Sequence, residues 1–158
     1  MEIKIVKFGL RFYCAISLRR VREVTGVNSQ VDEDTHFLMW DFDEIPLPIV
    51  IDSLKAVQRM FNLPAISIVQ TKANNYHGYC FRACSFIEAR GIIAFTPNID
   101  RHYLAAGCGR GYFTLRFTDV KGQEFKHVMT LTSDIEPDLD YTDINSFVQY
   151  TKATKAVK

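Results

Sequence analysis

Residues 37–45 read FLMWDFDEI. Four consecutive apolar residues, Phe37, Leu38, Met39 and Trp40, mark a short buried strand, extended to HFLMWDF, and Pro46 and Pro48 stop it from running on. The strand then ends in acid, at Asp41, Asp43 and Glu44. Residues two apart on a strand share a face, so Asp41 and Asp43 set two carboxylates side by side. Like charges at that separation raise one pKa unless a cation neutralises them, and Mg²⁺ or Mn²⁺ does so with one or two carboxylates plus substrate phosphates. A strand leaving the core into a solvated acidic turn has the same residues, and the Asp-x-Asp pair alone does not separate the two readings.

Working outward, Asp52 or Ser53 opens a helix DSLKAVQRMFN, whose Leu54, Val57 and Phe61 share a face. PAISIVQT is β-branched and extended, and after the turn KANN the segment YHGYCFRA alternates as its hairpin partner. Ser85 caps a helix SFIEARGIIAF, and TPNIDRHYLAAGCG has the punctuation of a short helix, from Thr-Pro to glycines. GYFTLRFTD and EFKHVMTLT are strands around the turn DVKGQ. On the N-terminal side, VNSQVDEDT is a polar loop and FYCAISLRRVREV, residues 12–24, has Ile16, Val21 and Val24 near helical spacing, with Gly26 as a stop. The acidic stretch 134–143 is peripheral. The expected fold is α+β, an antiparallel sheet core with flanking helices, in one domain over 1–150, followed by a basic, disordered tail over 151–158.

The composition sets bounds on partners. The 158 residues are 47% hydrophobic and 23% charged, with a formal net charge of +1 and twelve Phe and seven Tyr. That is enough chain for a real core, and the neutral balance gives no global attraction to nucleic acid or to an anionic membrane. Any such partner has to be met by a local patch. The first twenty residues mix charges into their apolar run, which fits neither a signal peptide nor a spanning helix, so no membrane association is expected and the cytoplasm is the default. Four cysteines are too few for a disulfide scaffold.

Further candidates for chemistry lie on the hairpin and beyond it. In QTKANNYHGYCF, Lys72, Asn75 and His77 are three donors suited to phosphate oxygens. In NIDRHYLAAGCGRGYFTLRF, Asp100 sits in the first turn of a helix, and Arg110 and Arg116 flank a strand. Singly these are ordinary surface or half-buried residues; their order along the chain is the stronger signal.

Over residues 37–118 that order resembles the archaeo-eukaryotic primase superfamily, most closely its compact plasmid- and phage-encoded primase-polymerases. LMWDFD is similar to the family's first motif, NYH to its second and the Asp of NIDRHY to its third, with RGYFTLR as the arginine-bearing strand behind. Asn75 stands where the family's second motif usually has serine. For the third acid, Asp119 at the end of LRFTD is an alternative to Asp100. The resemblance implies an RRM-like catalytic core and a template-dependent nucleotidyltransferase that makes or extends primers. Asp41, Asp43 and Asp100 would bind Mg²⁺ or Mn²⁺, and Lys72, Asn75, His77, Arg110 and Arg116 would bind the nucleotide. It further implies a single-stranded DNA template and nucleoside triphosphates as partners, a replicative helicase or other replication proteins around them, and the cytoplasm (a host's, if phage-encoded) as location.

Two other classes stand beside it: a non-catalytic single-stranded nucleic-acid or replication-origin binding module of the same fold, and a structural zinc-bearing interaction domain. His77, Cys80, Cys84 and Cys108 have the elements of a zinc site, although Cys80 falls on the strand face opposite His77 and small buried cysteines explain the pattern more simply. RGYFTLRFTDVKGQEFKHV interleaves aromatic and basic residues, as a stacking platform for single-stranded nucleic acid does. Plain alternation instead puts Phe113, Leu115 and Phe117 in the core and Tyr112, Thr114 and Arg116 outside.

Overall fold

The computed structural model describes residues 2–7, 10–15, 21–116, 125–140, 142, 144 and 146–153, with backbone alone for 2–7, 10–15, 21–24 and 149–153. It is α+β, with nine strands and three helices among these residues. All strand pairs are antiparallel. β1 (Glu2–Lys7) pairs with β2 (Leu10–Ala15). A second sheet has the order β7-β3-β9, from β3 (Val21–Asn28), β7 (Thr114–Arg116) and β9 (Phe147–Ala153). The third and largest has the order β4-β6-β5-β8, from β4 (His36–Phe42), β5 (Ile66–Lys72), β6 (Asn75–Cys84) and β8 (Lys126–Leu131). Because β4 and β5 are each antiparallel to β6 between them, they run parallel to one another, and helix α1 (Leu47–Phe61) makes the crossover.

The four-stranded sheet is two-faced by its alternation. Leu38, Trp40 and Phe42 of β4 are fully buried on the face that carries α1, where a Cβ on Gly78 of β6 would meet Trp40 and Leu54. The Trp40 indole N–H donates to Thr96 Oγ1 at 2.8 Å, at the end of α2 (Phe86–Phe95). The three-stranded sheet lies over the other face, where Val27 and Phe147 border an apolar cavity of about 320 Å³ with Phe37, Val69, Tyr79 and Phe81. Helix α3 (Arg101–Arg110) covers the exposed edge of β4: the Tyr103 hydroxyl donates to the Met39 carbonyl at 2.8 Å and the Asp100 amide to the Asp41 carbonyl at 2.9 Å.

Several expectations need correction. The helix expected over 12–24 is not there. Residues 10–15 and 21–28 are strands, and Gly26, read as a stop, lies inside β3 opposite Arg116 and Val148. The β-branched and aromatic residues of this stretch suit a pleated sheet as well as a helix, and pairing with a distant β9 decides between them. Helix α1 begins at Leu47, not near Asp52: Pro46 is its N-cap and Pro48 lies in the first turn, where a missing N–H costs nothing. Helix α3 begins after Asp100, not at Thr96-Pro97. β7 and β8 belong to different sheets, and the intervening turn, with Phe117 and Asp119, lies outside the described residues. Thr151–Ala153, expected in the disordered tail, pair in β9 with Val21–Glu23; the rest of that expected tail, residues 154–158, lies outside the described residues. No described helix is long and apolar enough to cross a membrane.

Candidate functional site

β4 ends at Phe42, so Asp41 is its penultimate residue and Asp43 stands just beyond it. Asp100 reaches them from the start of α3. Its carboxylate accepts from the amides of His102 (2.9 Å) and Tyr103 (3.3 Å), which makes it the N-cap, while its own amide is fastened to Asp41. One carboxylate oxygen from each of Asp41, Asp43 and Asp100 lies within 4.8 Å of the others, the sole such group of potential ligands found among the described residues.

The electrostatics follow from that packing. Burial, then the neighbouring Asp43 and Asp100 charges, push the Asp41 carboxyl up to about 7 against the opposing pull of Arg116 and Lys72. Three hard oxygen donors sharing one space, one of them short of positive charge, fit a divalent hard cation of the Mg²⁺ or Mn²⁺ class. Asp43 is held by the second hairpin: Asn75 Nδ2 donates to its carboxylate, Asn75 Oδ1 accepts from the Glu44 amide at 3.4 Å, and the Ile45 amide donates to the Asn74 carbonyl at 2.9 Å. The Asn75 amide is therefore occupied by the turn that carries Asp43.

His77 is directly opposite Asp41 across the β4–β6 pair, with Nε2 3.6 Å from Asp41 Oδ1, beyond hydrogen-bonding range. Burial first, then Arg116, lower its pKa to about 3, so the ring is neutral. Its Nδ1 lies 3.1 Å from the Tyr79 hydroxyl. Tyr79 was not singled out by sequence reasoning, although its position two residues past His77 on one strand puts it on the same face. Arg116 of β7 leans in from the second sheet, and its buried Nε has no hydrogen-bond partner among the described residues, an unused donor of the kind that folded proteins leave rarely.

Three cavities meet at the carboxylates, and each pair of them borders a different one. Asp41 and Asp43 border a polar cavity of about 330 Å³ with Lys72, Asn75, His77 and Arg116. Asp41 and Asp100 border one of about 550 Å³ with Tyr103, Arg110 and Tyr112. Asp43 and Asp100 border a third with Arg101 and Leu104. Seven of the eight expected site residues thus line the first cavity or belong to the carboxylate cluster, and Arg110 stands apart in the second. Asp119 lies outside the described residues.

The cysteines do not gather. Cys80 is on the helix-covered face with its thiol toward the Pro64 carbonyl, Cys84 is directed at the His36 carbonyl, and Cys108 is exposed on α3. Burial pushes the first two thiols up, to about 12, which suits core residues rather than thiolate ligands.

Comparison of the chain with protein-family models, with curated proteins and with solved structures finds no match. The functional reading therefore rests on the motif order and on this geometry.

Proposed function

We propose that the chain is a metal-dependent, template-directed nucleotidyltransferase of the primase-polymerase kind, joining nucleotides on a single-stranded DNA template. The observation that carries it is the clustering of Asp41, Asp43 and Asp100, with ligand oxygens within 4.8 Å, beside a cavity lined by Lys72, His77 and Arg116. Carboxylates that gather cations and cations that gather phosphates, side by side, suit a nucleoside triphosphate. Mg²⁺ or Mn²⁺ held by the three carboxylates would supply activation of the attacking hydroxyl and stabilisation of the leaving pyrophosphate.

The chain's own groups bind and orient. Lys72 and Arg116 attract the triphosphate, and Arg116 Nε, which has no partner among the described residues, supplies a fixed donor. His77, neutral and buried, contributes a directional hydrogen bond from Nε2. Asn75 acts on Asp43 rather than on phosphate. Catalysis of this kind is positioning plus charge stabilisation, so loss of one ligand carboxylate outweighs loss of one donor. A cytoplasmic location and association with other replication proteins go with this reading.

The test is incorporation of labelled nucleotides on single-stranded DNA with Mn²⁺ or Mg²⁺, for wild-type protein and for Asp41→Asn. Activity in the first and none in the second is expected, with template affinity nearly unchanged. A wild-type protein that holds the template well and incorporates nothing with either ion overturns the proposal in favour of a binding module.

A further inference from the structure

The proposed chemistry makes no use of the apolar cavity of about 320 Å³ between the two larger sheets. Phe37, Val69, Tyr79 and Phe81 border it from the four-stranded sheet, and Val27 and Phe147 from the three-stranded one. No described charged residue lines it. Its two polar side chains already have partners: Ser67 Oγ lies 3.3 Å from Thr130 Oγ1, and the Tyr79 hydroxyl 3.1 Å from His77 Nδ1. A charge or a hydrogen-bonding group brought in by an occupant would therefore go unpaired, at a cost that an apolar occupant avoids. Apolar cavities of this kind stay dry, and one of about 150 Å³ takes up benzene. About twice that volume suits a molecule of two fused rings. The walls are largely aromatic, with the Phe37 and Phe81 rings 5.9 Å apart and tilted by 36°, which favours a planar ring system over a flexible acyl chain that has rotational freedom to lose.

The cavity adjoins the polar site through two residues. Val69 is directly opposite His77 across the β5–β6 pair, and Tyr79 lies two residues beyond His77 on the same face of β6. Tyr79 thus has its ring in the wall of the apolar cavity and its hydroxyl at the histidine that lines the polar one. The ring cannot shift without moving the hydroxyl.

We infer that the cavity between the sheets binds an uncharged, planar, two-ring aromatic molecule, and that its occupancy is passed to His77 through Tyr79. The inference goes beyond the proposed nucleotidyl transfer and does not depend on it, since binding and the state of His77 are both read without turnover. A molecule pressed against the Tyr79 ring moves the hydroxyl away from Nδ1, so the ligand and the His77 hydrogen bond oppose one another. By linkage, whatever strengthens that hydrogen bond weakens the ligand by the same factor.

The test uses naphthalene as the probe and 2-naphthoate, the same ring system with a charge, as its control. Naphthalene near its solubility limit is expected to raise the Tm of the wild-type protein by about 2–4 °C, and 2-naphthoate to leave it unchanged. Nuclear Overhauser contacts from naphthalene to the methyl groups of Val27, Val69 and Ile144 should place it in the cavity. Val69→Phe, which fills the space, should abolish the shift; if that variant does not fold, the Overhauser contacts in the wild type decide alone. Nitrogen-15 spectra of labelled histidine read the coupling: naphthalene should turn the Nε2–H form of His77 into a mixture of tautomers in the wild type. In Tyr79→Phe it should still bind and leave the His77 signals as they were. No Tm shift and no contacts with naphthalene, or an equal shift with 2-naphthoate, overturns the site. Binding in the cavity with an unchanged wild-type His77 spectrum overturns the coupling.

Discussion

The backbone amide of Asp100 donates to the backbone carbonyl of Asp41 at 2.9 Å, so two acids 59 positions apart in sequence are fastened by their main chains before their side chains meet. β4 is an edge strand, and along its outer edge the Phe37 amide donates to the Ser29 carbonyl while the Met39 and Asp41 carbonyls accept from the Tyr103 hydroxyl and the Asp100 amide. The carboxylate cluster is thus a by-product of covering a sheet edge with a helix start. Mutual repulsion of the acids is borne by backbone hydrogen bonds and by the packing of α3.

Asp100 has two tasks, and two substitutions separate them. Asp100→Asn keeps a good N-cap and should hold stability within a few tenths of a kcal/mol, whereas Asp100→Ala should lose about 1 kcal/mol. Both remove a charge from the proposed metal site, so on the proposed function both should weaken Mn²⁺ binding and nucleotide incorporation by more than about a hundredfold. Chemical denaturation and Mn²⁺ titration followed by electron paramagnetic resonance check the two effects independently. Full metal affinity in Asp100→Asn would remove Asp100 from the cluster's function.

The raised pKa of Asp41 sets the direction of a pH dependence. Folding lifts this carboxyl from an ordinary value near 4 to about 7. The folded state then holds its proton more tightly than the unfolded state. Its contribution to stability is full below about pH 4 and is lost as pH rises through about 7. A divalent cation competes with that proton, so the rise in Tm on adding Mn²⁺ should be small at pH 5.5 and grow towards pH 8. Thermal melts across that window, with Asp41→Asn as control, test it. The variant should show a flatter profile without metal and little rise with it.

How much of this was legible depends on how local the signal was. β4, β5, β6 and α2 follow from alternation and from Ser85, whose hydroxyl accepts from the Glu88 amide as a cap should. The face shared by Asp41 and His77 depends in addition on the β4–β6 register, which sets the two directly opposite one another. The strands before residue 28 were not legible, because the partner that decides between helix and strand for Val21 to Val27 is β9, at the far end of the described chain. The task of Asn75 was also hidden. Its residue type fits a phosphate donor and a turn clamp equally, and only proximity to Asp43 selects between them.

Tyr79 should fix the tautomer of His77. Its hydroxyl is kept protonated, first by burial and then by the Asp41 charge, and His77 Nδ1 lies 3.1 Å away. If Tyr79 donates there, the ring hydrogen sits on Nε2, where it faces Asp41 and the polar cavity rather than presenting a lone pair to a carboxylate. Nitrogen-15 spectra of labelled histidine should show the Nε2–H form in the wild type and a mixture of tautomers in Tyr79→Phe. The variant's nucleotide KM should rise about three- to tenfold, with kcat nearly unchanged, as expected for a hydrogen bond worth roughly 1 kcal/mol. An unchanged tautomer in Tyr79→Phe would leave Tyr79 as packing alone.

Gly107 should matter to the carboxylate cluster without touching it. In most helices Gly→Ala gains up to about 1 kcal/mol. Here a Cβ at Gly107 would run into the Phe113 ring. That ring is fully buried, and it lies against Tyr103 at 5.2 Å and Phe86 at 5.8 Å between centroids. α3 would have to move outward, and Tyr103 and Asp100, which tie it to β4, would move with it. Gly107→Ala is therefore expected to destabilise the fold by about 1–3 kcal/mol and to weaken Mn²⁺ binding with all three carboxylates intact. Two positions further on, a Cβ at Gly109 meets nothing within 4 Å, so Gly109→Ala should be neutral or stabilising and bind metal normally. Urea denaturation and metal titration of the pair give the comparison, and equal behaviour of the two variants would show that the seating of α3 does not control the cluster.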